Sequence, residues 1–168
     1  HLSLKALGIG KGDEVVIPDL TFVATASSVL LTGATPVLAD VDDDLNISIQ
    51  SIKESITSRT KAIIPVHFAG KSCKIKEVSS IARKNNVSII EDCAHAIGAK
   101  INKKHVGTFG QLGCFSFYPT KNLAAFGDGG MVLTDDPKIA ARVRQLREYG
   151  WRDRFVSAAP GLNSRLDE

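Results

Sequence analysis

Aromatic residues are scarce in this chain: one Trp, two Tyr and seven Phe among 168 residues. The charge excess is also small, 21 Lys and Arg against 18 Asp and Glu for a formal +3, and no basic block is interleaved with aromatics. A nucleic-acid binder would show one or the other, so no nucleic-acid partner is expected. Cysteine is sparse too. Cys73, Cys93 and Cys114 are an odd set without C-x-x-C spacing, which argues against both a disulfide scaffold and a zinc ribbon. The four histidines, His1, His67, His95 and His105, are scattered outside any H-E-x-x-H motif, and no structural metal is expected. Long apolar runs are missing as well. Stretches such as Ala62 to Val66 fall far short of the roughly 18 residues that a membrane span needs, so no membrane association is expected. The opening His1-Leu2-Ser3-Leu4-Lys5 lacks a basic region followed by a long apolar core, and the expected compartment is a reducing cytoplasm.

What is present is an ordinary globular composition, 43% hydrophobic and 23% charged, arranged with a clear rhythm. Short, nearly continuous apolar runs recur at Glu14 to Ile17, Pro36 to Asp40, Ala62 to Val66, Ser88 to Asp92, Cys114 to Phe117 and Met131 to Thr134. That character suits strands buried on both faces. Helical spacing appears between several of them: Thr21 to Leu31, Ile75 to Arg83 and Pro137 to Tyr149. Strands alternating with helices predict an α/β fold, a mostly parallel sheet flanked by helices. Pro137 suits a first helical turn capped by Asp135 or Asp136, with Gly150 at the far end. Leu2 to Leu7 reads as the last turns of a helix, and Ser164 to Glu168 as the start of another. The chain is therefore expected to be a segment of a longer protein.

Two charged stretches have plain explanations. Asp42-Asp43-Asp44 lacks the glycine and distal Glu of a calcium loop and reads as a solvated turn. Arg142, Arg144 and Arg147 share helical spacing and read as a solvated face.

Ligands of α/β sheets gather at the carboxyl ends of the strands, so the residues just after each apolar run matter most. In Ser88 to His95 a buried-looking strand runs straight into Glu91-Asp92, where an acid either caps the next helix or stabilises a cationic partner. Phe115-Ser116-Phe117-Tyr118-Pro119-Thr120-Lys121-Asn122 places a lysine after a strand and a hydroxyl-rich turn. A lysine there is either solvated or shielded enough to bond a carbonyl carbon, with Ser116 and Thr120 offering hydroxyls to a phosphate. Gly127-Asp128-Gly129-Gly130 marks a tight turn. Gly8-x-Gly10-x-Gly12 has no preceding strand and does not continue as G-x-G-x-x-G, which disfavours a nicotinamide-binding domain.

In combination these blocks resemble the DegT/DnrJ/EryC1/StrS family of sugar aminotransferases, fold-type-I pyridoxal-phosphate enzymes. The resemblance runs through Ala6 to Val15, Thr21 to Ala26, Pro65-Val66-His67, Glu91-Asp92 with Ala94, Phe115 to Asn122, Gly127 to Met131 and Gly161 to Glu168. It implies that residues 1–168 are a segment of the large cofactor domain, with an N-terminal phosphate-loop segment and a C-terminal small domain lying outside it. It also implies a set of roles: Lys121 bonds pyridoxal 5'-phosphate and moves the proton, Asp92 holds the pyridine nitrogen, and Phe22 stacks on the ring. Ser116 would bind the cofactor phosphate, and His95 would lie beside the phenolic oxygen, where relatives carry Gln or His. Asn163 would reach the cofactor phosphate of a neighbouring subunit, making a homodimer with shared active sites. The implied substrates are a nucleotide-linked keto sugar and an amino-acid donor, expected to be glutamate, in lipopolysaccharide, O-antigen or other amino-sugar synthesis. Related dehydratases replace the lysine with His, so Lys121 favours transfer. A dehydratase and a non-catalytic regulatory protein are the alternatives.

Overall fold

In the computed structural model, which describes residues 1–166, the elements follow in chain order as α1 (Leu2–Ala6), β1 (Glu14–Pro18), α2 (Ala24–Leu30), β2 (Thr35–Ala39), α3 (Ile49–Ser55), β3 (Thr60–Ile63), α4 (Ile75–Lys84), β4 (Ser88–Asp92), β5 (Lys100–Ile101), β6 (Lys104–His105), β7 (Leu112–Ser116), β8 (Gly130–Leu133), α5 (Pro137–Arg147), β9 (Trp151–Asp153) and β10 (Val156–Ser157). A single turn of 3-10 helix, Phe68–Gly70, follows β3. Six strands form one sheet in the order β2-β1-β3-β4-β7-β8. All pairings are parallel except the last, where β8 runs antiparallel to β7. β5 with β6 and β9 with β10 make two small hairpins.

Alternate strand residues face opposite sides of the sheet, and the core divides accordingly. Val16, Ile63 and Ile89 pack with Ile52 of α3 and Ile75, Val78 and Ile81 of α4. Val15, Ile17, Ala62, Ile64 and Ile90 pack on the other side with Leu4 of α1, Val29 of α2 and Ile139 and Val143 of α5. The result is a sheet between two helical layers. The interior strand β1 is buried throughout, whereas β2 and β8 carry exposed positions because each is an edge. Each fully buried Val, Leu or Ile contributes about 1.5–3 kcal/mol relative to exposure.

The local punctuation follows ordinary chemistry. Asp136 caps α5, its side chain accepting from the backbone N–H groups of Lys138 and Ile139, with Pro137 in the first turn. Gly8 ends α1 with φ +76: its N–H reaches the Lys5 carbonyl and that of Ile9 reaches Leu4, a Schellman pattern. The acidic turn is tied to the start of α4 by Lys74 on Asp42 and Lys71 on Asp44. The arrangement agrees with a solvated turn. Ser164 to Leu166 carry no helical assignment, and the rest of the expected terminal helix lies outside the described residues. Among the described residues no helix is long and apolar enough to cross a membrane.

Candidate active site

Three chain segments meet at the carboxyl ends of β4 and β7. The first leaves β4. Asp92 is tied on one side by its N–H to the Pro65 carbonyl (2.9 Å) and by its own carbonyl to the His67 N–H (3.0 Å), while β7 pairs with it on the other side at Cys114. Its Oδ1 accepts the Ala94 N–H at 2.9 Å, a turn contact of the bland kind expected for an acid at a strand end. The second segment leaves β7 at Ser116 and enters a loop over residues 117–129. Phe117 closes that loop at its base, donating its N–H to the Gly129 carbonyl and accepting from Ala125. Within it, the Lys121 N–H donates to the Tyr118 carbonyl at 2.8 Å, closing a turn with Pro119 at its second position, where the fixed proline φ suits it. The third is the Phe68–Gly70 turn. Phe68 meets the His95 ring edge-on at 6.4 Å between centroids.

Between these segments lies a cavity of about 330 Å³ lined by His95, Ser116, Thr120, Lys121 and Asn122, with Ala94, Ala69 and Ile97 completing the wall. Three of the expected site residues, Lys121, Ser116 and His95, are thus brought together. Asp92 stands two residues before Ala94 at the strand end that supports this wall. Phe22 is not among the lining residues and is 76% exposed. Asn163 also lies outside the cavity: its backbone bridges Glu148, and its Oδ1 accepts from Arg165 Nε at 2.9 Å. A second cavity of about 330 Å³ adjoins through Ser116 and is lined by Tyr118, Gly129, Gly130, Ser164 and Arg165 among others.

The donor set of the first cavity fits pyridoxal phosphate. One primary amine, two hydroxyls and an imidazole share a space of the size that small cofactors occupy, with a carboxylate at the adjoining strand end. Lys121 would bond the aldehyde carbon, Ser116 and Thr120 would take the phosphate, and His95 would contact the ring substituents.

One arrangement was not legible in the sequence. Glu91 and His67 are both fully buried, with Glu91 Oε2 3.0 Å from His67 Nε2. His67 Nδ1 accepts the Cys73 N–H, so the ring proton sits on Nε2 and is donated to Glu91. The carboxylate also accepts from the backbone N–H groups of Gly107, Phe109 and Gly110 at 2.8, 2.6 and 2.8 Å. Burial pushes the Glu91 carboxyl up, but the hydrogen bonds from His67, Gly107 and Gly110 outweigh it and hold it below the usual range. With Cys93, these two residues are the one group among the described residues that gathers three metal-ligand atoms within 4.8 Å. Backbone and imidazole N–H groups already engage the carboxylate, and burial raises the Cys93 thiol well above its ordinary value, so the cluster reads as a hydrogen-bond network.

The sequence profile of the DegT/DnrJ/EryC1/StrS aminotransferase family matches residues 1–168. A UDP-N-acetyl-3-dehydro-alpha-D-glucosamine 3-aminotransferase of Acidithiobacillus ferrooxidans is 52% identical over 168 residues, covering 99% of this chain and 46% of the relative. A pleiotropic regulatory protein of Geobacillus stearothermophilus is 44% identical, over 100% of this chain and 45% of the relative. The chain therefore spans a little under half the length of the curated relatives it matches. Among solved structures, S. venezuelae DesV in complex with a ketimine intermediate superposes with a TM-score of 0.95 at 42% identity, over 98% of this chain and 45% of that one. With the family profile matching the whole chain and a relative 52% identical over 99% of it, this protein belongs to the DegT/DnrJ/EryC1/StrS aminotransferase family.

Proposed function

We propose that the protein is a pyridoxal-phosphate aminotransferase that moves an amino group, with glutamate as donor, to a keto group of a nucleotide-linked sugar in lipopolysaccharide, O-antigen or other amino-sugar synthesis. The observation that carries this reading is the convergence of Lys121, Ser116, Thr120 and His95 on one cavity beside the Asp92 strand end. The similarity to a nucleotide-sugar aminotransferase at 52% identity supports the substrate class. When bound, pyridoxal phosphate supplies an electron sink that stabilises the negative charge left when a proton leaves the carbon beside the amine.

The chain's own residues do the rest. Lys121 Nζ takes the proton from the substrate carbon and returns it on the other side of the transfer, acting in turn as base and acid. The Asp92 carboxylate keeps a proton on the pyridine nitrogen. Ser116 and Thr120 donate hydroxyl hydrogen bonds to the phosphate, and the His95 ring contacts the phenolic oxygen. As the family resemblance implies, Phe22 would cover one face of the ring, and Asn163 would reach the phosphate in a neighbouring subunit of a homodimer. The enzyme works in the cytoplasm as part of a longer polypeptide, of which residues 1–168 form the large-domain segment between a phosphate-loop segment and a small domain.

The test is to incubate the protein with pyridoxal phosphate, reduce with borohydride, digest and locate the label by mass spectrometry. Stoichiometric label on Lys121, abolished by Lys121→Ala, is expected. Label spread over surface lysines overturns the assignment. A second reading, a regulatory protein on the same domain, is favoured by the similarity to the Geobacillus regulatory protein. It predicts that Lys121→Ala leaves the biological activity intact.

A further inference from the structure

Nothing in the proposed chemistry uses Glu91, yet it is a fully buried charge and the residue next to Asp92. Because successive strand side chains face opposite sides, Glu91 projects with Ile89 toward the α3 and α4 layer, while Asp92 projects with Ile90 toward the other. Its four hydrogen bonds connect two segments that lie on either side of β4. One is the segment after β3, through His67 Nε2, and that same segment exchanges backbone hydrogen bonds with Asp92 on both of its peptide groups. The other is the loop before β7, through the N–H groups of Gly107, Phe109 and Gly110, and β7 flanks Asp92 on its far side. The carboxylate thus spans the end of β4 from neighbour to neighbour.

A buried charge is a poor choice for stability alone, since an apolar group of like volume commonly does as well. What a carboxylate with four directed donors provides is a single geometry, because each N–H fixes an oxygen along its own line and little freedom is left. The loop it holds is itself tightly seated: a side chain at Gly107 would meet the Phe115 ring at 2.7 Å, and one at Gly110 would meet the Ile89 carbonyl oxygen at 2.7 Å.

We propose that Glu91, locked by His67, is a positioning residue that sets the Asp92 carboxylate at the angle and depth its cationic partner requires. The inference rests on the reading that Asp92 holds the protonated ring nitrogen of the cofactor. A shift of about 1 Å in such a group costs on the order of a hundredfold in rate.

The test compares Glu91→Gln, Asp92→Asn and the double variant in the full-length protein. Two quantities are read: amide hydrogen exchange at Asp92, Gly107, Phe109 and Gly110 in the protein without cofactor, and the single-turnover rate of the half-reaction with the amino-acid donor. Glu91→Gln places an N–H against an N–H, so exchange at these amides is expected to rise. The half-reaction should slow by about ten- to a hundredfold while cofactor still binds. In the Asp92→Asn background the same change should slow it by less than about twofold, because the two act through one group. An undiminished effect in that background overturns the positioning role and leaves the reading of Asp92 standing. Asp92→Asn without effect of its own removes both.

His67→Phe, which fills the space and deletes the donor, gives the same comparison should Glu91→Gln fail to fold. His67→Gln restores an N–H toward Glu91 and should recover most of the rate; equal rates in the two His67 variants count against the proposal.

Discussion

Glu91 Oε2 lies 3.0 Å from His67 Nε2 with both side chains sealed from solvent, and a neutral imidazole is the donor. Since hydrogen bonding holds the folded Glu91 carboxyl below its ordinary value of 4.5, its contribution to stability is fully present above that pH and is lost as the pH falls through the lower folded value. Glu14, lowered by Thr57 and Arg59, and Asp42, lowered by Lys74, act with the same sign. The melting temperature is expected to fall below about pH 4.5. Glu91→Gln should melt lower at neutral pH but show a shallower acid limb, measured by calorimetry from about pH 3 to 7. A limb as steep as in the parent would place the acid lability elsewhere.

The cap of α5 is open to a simple check. Asp136→Ala removes the acceptor for Lys138 and Ile139 and should cost about 1 kcal/mol. In a chain of this size that is a drop of about 2–4 °C in Tm. Asp136→Asn keeps an acceptor oxygen and should lose less. Equal losses would mean that the negative charge, rather than the hydrogen bonds, matters there.

Cysteine reactivity should separate folded from unfolded chain. Burial pushes the Cys73 thiol up to about 12, and burial also raises Cys93 and Cys114. A thiol is nucleophilic only as thiolate, so iodoacetamide at about pH 8 is expected to spare Cys73 and Cys93 in the native protein and to label all three in denaturant. Rapid native labelling of Cys93, read by peptide mass mapping, would show that the end of β4 opens.

Close backbone approach at Gly113 makes a sharper demand. A methyl group there would collide with the backbone of Gly107, across the contact that brings the loop before β7 onto that strand. Gly113→Ala should cost about 2 kcal/mol or more. Gly10→Ala places its methyl 3.5 Å from the Thr32 carbonyl oxygen, an ordinary contact, and should change stability by less than about 0.5 kcal/mol. Chemical denaturation of the two variants tests the contrast.

The six sheet strands were legible in the sequence because each is written as a short apolar block, although the edge strands β2 and β8 carry exposed positions, and Glu14 to Ile17 and Ser88 to Asp92 needed at most one residue of adjustment. The helix α3 was not. Its seven residues hold Ile49, Ile52 and five polar or charged residues of weak pattern, and the packing of Ile52 against the sheet, rather than propensity, makes it helical. The site divides in the same way. Lys121, Ser116 and His95 stand in blocks contiguous in sequence, and those blocks end at adjacent strands, so the cavity follows from the strand order. The Glu91 network joins the His67 ring, 24 positions away, to backbone N–H groups 16 to 19 positions away, and the latter carry no side-chain signature. Phe22 and Asn163 lie outside the cavity, and no local pattern in the chain indicates where their side chains reach.

The antiparallel return of β8 beside β7 has an engineering consequence. A parallel neighbour would need a helical crossover of a dozen residues or more on a face of the sheet, whereas this hairpin leaves and re-enters at one edge. Everything between the Phe117 and Gly129 clamp is then a cassette: its ends are set by ladder hydrogen bonds, and its interior carries the lysine. Exchanging residues 118–128 between relatives should alter the chemistry of the cavity while the two core layers remain as they are, giving a route to altered specificity that leaves the scaffold unburdened.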